Sequence, residues 1–364
     1  MIFPILGLAA ASFLISWLLT ALMIRIAPRI GFVDKPGHRK IHDNPKPLGG
    51  GVAIFLAFTL TMLAVVVAIY LNFTPGNNLP NWPAYVGGLK QQTPLAIGLI
   101  LAMLIIHILG LIDDRKALGP YLKLIVQLAV AAALVIEFKS VRALTALGPA
   151  ISITLTVLWI VAITNAFNFL DNMDGLSSGV AAVCTTAFFI TTIQIQQWFV
   201  AASLAILLGA ILGFLWWNFP PAKIFMGDSG SLVIGFVLGV LTIRTTYLQP
   251  GTTLAAGWYE VFAPIIVLAL PLYDLIVVSI IRMLRRKSPF VGDTNHFSHR
   301  LVARCMSRRT AVLSIYLVTA ATAIAAILLP HVQSTFAAIL IFAQTILVLG
   351  VVALLEQHPL PNER

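Results

Sequence analysis

The sequence predicts an all-α polytopic membrane protein of about eleven transmembrane helices, and three observations lead there. Of 364 residues, 59% are hydrophobic and only 10% are charged, with a mean hydropathy of +0.97. Soluble domains carry roughly 25% charged residues, so the apolar excess belongs to lipid. Apolar runs recur along the whole chain, close to the ~20 residues a helix needs to cross a ~30 Å hydrocarbon core. The basic residues fall mostly in short stretches between those runs.

The runs cover 3–27, 50–71, 94–112, 122–138, 150–167, 176–194, 198–217, 231–247, 255–281, 311–329 and 335–355. The first, Ile2 to Ile24, is too long for a signal-peptide core and has neither a basic leader nor a small-residue cleavage site, so it is expected to stay as helix one. No stretch is left over for a large soluble domain, and no internal repeat is visible. Residues 1–364 are therefore expected to form a single integral domain.

Charge predicts orientation. The stretch from Arg25 to Lys46 has six basic residues against Asp34 and Asp43, and that from Arg282 to Arg309 has eight against Asp293. The positive-inside rule places both in the cytoplasm, the N-terminus outside and the C-terminus inside. The Pro-, Gly- and Asn-rich stretch 72–93 then lies on the opposite side. A net charge of +10 is explained by topology and not by nucleic acid, which is excluded as a partner. Cys184 and Cys305 have no metal-ligand or disulfide spacing.

With this parity four polar clusters reach one face, because each follows an odd helix. Asp113-Asp114 sits in HILGLIDDRKALGPYLK, where adjacent carboxylates raise each other's pKa unless a cation is near. Lys123 begins the next helix at headgroup level, where a lysine either snorkels or holds a lipid phosphate. The segment TNAFNFLDNMDGL spaces Asn165, Asn168, Asp171 and Asp174 by three residues, one face of a helix if the helix continues. A polar cap ending at Gly175 explains one or two of these, not the stripe. Amide and carboxylate oxygens are the ligands that Mg²⁺ takes, one or two from protein with phosphate and water completing the shell.

KIFMGDSGS puts Asp228 before helix eight, as a metal ligand, an N-cap or both. Its likeness to the trypsin nucleophile motif is misleading, since nothing here supports a soluble β-barrel. SPFVGDTNHFSHRL puts His296, His299 and Arg300 on one helical face, better suited to an anionic diphosphate than to zinc. VDKPGHRKIHDNPKPLGGG joins basic residues to a turn before helix two. Asp274, in PLYD, is an intramembrane acid with no role assignable from sequence.

KPLGGG, LGLIDDR with Lys123, NAFNFLDNMDG, FMGDSGS, PLYD and SPFVGDTNHFSHRL, in that order over nearly the whole chain, resemble the polyprenyl-phosphate N-acetylhexosamine-1-phosphate transferase family. The resemblance is to the branch that starts O-antigen and teichoic acid intermediates. The muramyl-pentapeptide branch has a three-histidine run that is missing here. The resemblance implies transfer of a sugar 1-phosphate, most simply N-acetylglucosamine 1-phosphate, from a UDP-sugar to undecaprenyl phosphate. UMP is released, Mg²⁺ is required (Mn²⁺ an allowed substitute), and the enzyme works in the cytoplasmic membrane. A homodimer is compatible with the family.

Carried over by position, Asp228 and Asn168 would hold the metal, while His296, His299 and Arg300 would clamp the donor diphosphate. Lys123 would position the acceptor. Asp171 and Asp174 would orient the metal shell or the nucleotide, and Asp113, with Asp114 beside it, would serve as base, nucleophile or, with direct attack by the acceptor, positioning group. Ser298 stands where related chains have a middle histidine and is expected to tune the sugar pocket. Asn172 stands where the muramyl branch has glycine. The reading from another class is an ion-coupled transporter, which would place its acids near mid-bilayer within repeats.

Overall fold

The computed structural model describes residues 1–34, 45–71, 82–245, 258–286, 288, 296–304, 306–332 and 334–357. Parts of both basic stretches, much of 72–93 and Cys305 lie outside these residues. The chain is helical: α1 (Ile2–Ile26), α2 (Gly50–Tyr70), α3 (Trp82–Arg115), α4 (Pro120–Glu137), α5 (Pro149–Leu170), α6 (Leu176–Gln194) and α7 (Trp198–Asn218) are followed by α8 (Asp228–Arg244). Then come α9 (Ala263–Val267), α10 (Ala269–Leu284), α11 (Phe297–Ala303), α12 (Arg308–Leu328) and α13 (Thr335–Gln357). Two short strands, β1 (Val33–Asp34) and β2 (Lys46–Pro47), pair antiparallel.

Among the described residues nine helices are long and apolar enough to cross a bilayer, or ten when α9 and α10 count as one bent span. Each of the eleven predicted runs overlaps a helix, but two are not simple spans. The run 255–281 breaks between α9 and α10, which bend by 68°. Pro271 lacks the N–H that would serve the Val267 carbonyl, and its ring crowds that turn. Cys184 Sγ on α6 donates to the same carbonyl at 3.5 Å. The other exception, α8, is only 17 residues long and is buried from Ser229 through Thr242.

That burial makes α8 the axis of the bundle, packed by α5, α3 and α2. In lipid, helices gain little from hydrophobic exclusion against each other, so small residues and interhelical hydrogen bonds join them. Between α1 and α7, Ser12 Oγ donates to the Ile206 carbonyl at 2.8 Å and Ser16 Oγ to the Ala210 carbonyl at 2.6 Å. Gly110 lets α3 touch the first turn of α8, because a Cβ there would lie 2.4 Å from the Ser229 backbone nitrogen. Outward-facing Leu101, Ile105, Ile108 and Ile112 on α3 are exposed, as a lipid-facing stripe requires.

Candidate active site

The N-terminus of α8 is where the clusters meet. Its first N–H groups need acceptors, and Asp114 supplies them: Oδ1 accepts from the Asp228 N–H at 2.7 Å and Oδ2 from the Ser229 N–H at 3.2 Å. Gly227, at φ +74°, closes this turn, and a Cβ on it would sit 2.5 Å from Asp114 Oδ2. Both Asp114 oxygens are thus spent on backbone. Asp114, expected from sequence beside the base, caps α8 from the end of α3.

Asp113 points elsewhere. Its Oδ1 accepts from the Leu118 N–H at 2.7 Å, and its Oδ2 lies 3.1 Å from Lys123 Nζ. The same Nζ lies 2.8 Å from Asp228 Oδ2. Two carboxylate oxygens from different helices therefore converge on one cationic centre, supplied here by Lys123. The acceptor-phosphate lysine of the sequence reading is thus held among the acids.

Asn168 completes the frame. Its Nδ2 donates to Asp228 Oδ1 at 2.9 Å and to Ser231 Oγ at 3.0 Å. Ser231 spends its own hydroxyl hydrogen on the Gly227 carbonyl, so it must accept from Asn168, which fixes the amide orientation. Asn168 therefore turns its nitrogen, not its oxygen, toward Asp228. In this arrangement it orients that carboxylate.

The three-residue stripe does not continue along one helix. Asn165 faces Gln127 on α4, donating to its Oε1 at 2.6 Å, and α5 ends at Leu170. Asp171 is the C-cap and begins a turn that closes at Gly175 (φ +71°). Partial burial comes first in pushing the Asp171 carboxyl well above the ordinary range, followed by the charges of Asp228, Asp114 and Asp174. Asp174 Oδ2 accepts from the Ala222 N–H at 2.9 Å, so it braces the stretch between α7 and α8. Lys46 Nζ donates to the Ala222 carbonyl at 2.8 Å, and the Gly50 and Gly51 N–H groups donate to the Phe225 and Met226 carbonyls. KPLGGG thus works as a strap beneath the Asp228 turn.

The histidine segment packs against the end of α5. His296 caps α11 and is buried; its Nδ1 lies 2.8 Å from Asp274 Oδ2 and its Nε2 3.4 Å from Arg282 Nη2. His299, half-buried one turn later, stands edge-on to His296, and burial is the main cause that lowers its pKa. Arg300 pairs with Glu356 Oε2 at 2.9 Å. Ser298 is fully buried and its Oγ donates to Asn172 Oδ1 at 2.6 Å. Ser298, expected from sequence to tune the sugar pocket, ties α11 to the Asp171 turn.

Sequence reasoning missed His107 and Glu356. His107 lies inside the bundle, stacked on Phe55 at 4.5 Å, and its Nδ1 donates to the Ser229 carbonyl at 2.9 Å. Its position seven residues before Asp114, on the same helical face, was the available signal. Glu356 had none, since it ends a separate apolar helix.

Among the described residues no three His, Cys, Asp or Glu side chains gather closely enough to hold a metal unaided. Asp113 and Asp228 do fit a hard cation that takes two protein carboxylates and completes its shell from phosphate and water.

The family model described as Glycosyl transferase family 4 matches residues 96–246. The chain is 33% identical to a probable undecaprenyl-phosphate N-acetylglucosaminyl 1-phosphate transferase of Bacillus subtilis, over 95% of this chain and 90% of that one. It is 33% identical to a decaprenyl-phosphate N-acetylglucosaminephosphotransferase of Mycobacterium tuberculosis, over 85% and 78% respectively. To an undecaprenyl-phosphate alpha-N-acetylglucosaminyl 1-phosphate transferase of Escherichia coli it is 28% identical, over 81% and 76%. With the acids gathered at one end of an apolar bundle and likeness over nearly its whole length, the chain belongs to the polyprenyl-phosphate N-acetylglucosamine-1-phosphate transferase family.

Proposed function

We propose that the chain transfers N-acetylglucosamine 1-phosphate from UDP-N-acetylglucosamine to undecaprenyl phosphate, releasing UMP, with Mg²⁺, at the cytoplasmic face of the cell membrane. The observation that carries this reading is the convergence of Asp113 and Asp228 on one cationic centre at the end of the buried helix α8. The acceptor is a lipid whose phosphate rides at headgroup level and the donor is soluble, so the reacting groups meet where helix ends meet water. The relatives named above for N-acetylglucosamine support the choice of sugar, and the family excludes the transporter reading.

The acceptor monoester has a second pKa near ~6 and is mostly dianionic at pH 7. Its oxygen can attack the sugar-bearing phosphorus directly: that P–O bond forms, the bond to the bridging oxygen breaks, and UMP leaves with that oxygen. No proton has to be removed from the nucleophile, so Asp113 acts as a charge-positioning group and needs no covalent phosphate. Asp228 and Asp113 would hold Mg²⁺, which, when bound, offsets the charge of the converging phosphates. Asn168 orients Asp228, Lys123 steers the acceptor phosphate, and His299, with its pKa lowered, serves the donor as a neutral hydrogen-bond donor.

Purified protein given UDP-N-acetylglucosamine and undecaprenyl phosphate should release UMP only with Mg²⁺ or Mn²⁺, and Asp228→Asn should abolish release while the protein stays folded. Release without a divalent ion, or near-normal activity of Asp228→Asn, would refute the reading.

A further inference from the structure

Asp274, the acid without a role in the sequence reading, is fully buried and makes two contacts. Its Oδ2 faces His296 Nδ1 at 2.8 Å and its Oδ1 accepts from the Phe297 N–H at 3.2 Å. On the other side of the imidazole lies Arg282, itself 1% exposed, with Nη2 3.4 Å from His296 Nε2. A guanidinium only donates, so Nε2 must be the accepting nitrogen and Nδ1 must carry the hydrogen given to Asp274. Both ring nitrogens are committed inside the protein. The ring also meets Phe169 edge-on at 5.8 Å, and the Arg282 guanidinium covers the same Phe169 ring at 4.8 Å. Phe169 directly follows Asn168, which orients Asp228.

We infer that His296 is a buried latch and not a phosphate ligand: Asp274 fixes it as the Nδ1–H tautomer, Arg282 closes its far side, and the three together dock α11, with His299, against the acidic end of α5. Asp274 is a positioning residue acting through His296 on the placement of His299. A carboxylate and a guanidinium joined through a neutral ring leave no net charge in the buried cluster, which is the condition for burying ionic groups at tolerable cost. The inference deepens the proposed function, since the donor served by His299 rests on that reading.

Isosteres separate latch from ligand. Asparagine places an amide N–H near the site of Nδ1, and glutamine places one near Nε2. His296→Asn should therefore keep the bond to Asp274, hold its melting temperature in detergent near that of the parent and keep the donor KM within about threefold. His296→Gln and Asp274→Ala should both melt earlier, and both should raise the donor KM by about tenfold with kcat less affected, since a charge-assisted bond is lost. His299→Asn should lower kcat/KM without moving the melting temperature. The idea is overturned if His296→Asn melts like the parent yet is as inactive as His299→Asn, because Nε2 then serves the substrate. It is equally overturned if His296→Gln and Asp274→Ala melt like the parent. The melting order needs no substrate, so it tests the latch even if the proposed activity fails.

Discussion

Replacing Asp114 by alanine separates two neighbouring carboxylates that sequence alone cannot tell apart. The change leaves the Asp228 and Ser229 N–H groups, now served at 2.7 and 3.2 Å, without a protein acceptor at the part-buried start of a helix that is buried from Ser229 through Thr242. A buried donor left unmet costs about 1–3 kcal/mol, so two cost roughly 2–6 kcal/mol. Removing a negative charge beside Asp228 offsets part of this, which leaves a net loss of about 2–4 kcal/mol. Asp114→Asn keeps one acceptor and should lose about half as much. Asp113→Asn keeps an oxygen for Leu118, and Lys123 keeps Asp228, so its stability should change little while turnover falls by at least about a hundredfold. Melting in detergent, read beside kcat on the same preparations, should rank the parent and Asp113→Asn above Asp114→Asn and Asp114→Ala. An Asp114→Ala protein that melts like the parent, or an Asp113→Asn protein with normal turnover, would refute this division of labour.

Two further outcomes follow from the same geometry. Ser298→Ala and Asn172→Ala each remove the 2.6 Å bond joining α11 to the Asp171 turn, so a double-mutant cycle on stability should give a coupling of about 1 kcal/mol, and additive losses would dissolve the link. Because the Asp171 carboxyl is raised, the folded protein binds its proton more tightly than the unfolded chain does, so this group's contribution to stability is greatest below the ordinary carboxylate range and is lost as pH rises through the folded value. Asp171→Asn should accordingly melt higher than the parent at pH 8 and by a smaller margin at pH 5; a margin independent of pH would contradict the assignment.

The helices were legible because lipid leaves a strong periodic mark: a spanning helix must be apolar over its whole length. Their exceptions were less legible. The bend at Leu268 follows from Pro271, yet an apolar run reads the same bent or straight. In α8 burial is decided by neighbours, which a single sequence does not display. At the site, residue types in motifs pointed to one end of the bundle, where the structure gathers them around α8, but their partners did not follow from spacing. Asp113 and Asp114 are adjacent and chemically identical, and only the position of α8 makes one a cap. Asp274 and His296 are 22 residues apart and meet because α11 folds back onto α10.

The central claim is that the bond broken lies between the two phosphorus atoms of the donor, and UDP-N-acetylglucosamine labelled with ³²P at its β-phosphorus tests it most directly. With undecaprenyl phosphate and Mg²⁺, the account predicts that the label partitions into the organic-soluble lipid while the released nucleotide is unlabelled UMP. Label leaving as UDP, with unlabelled sugar on the lipid, would show glycosyl transfer instead and would contradict the account.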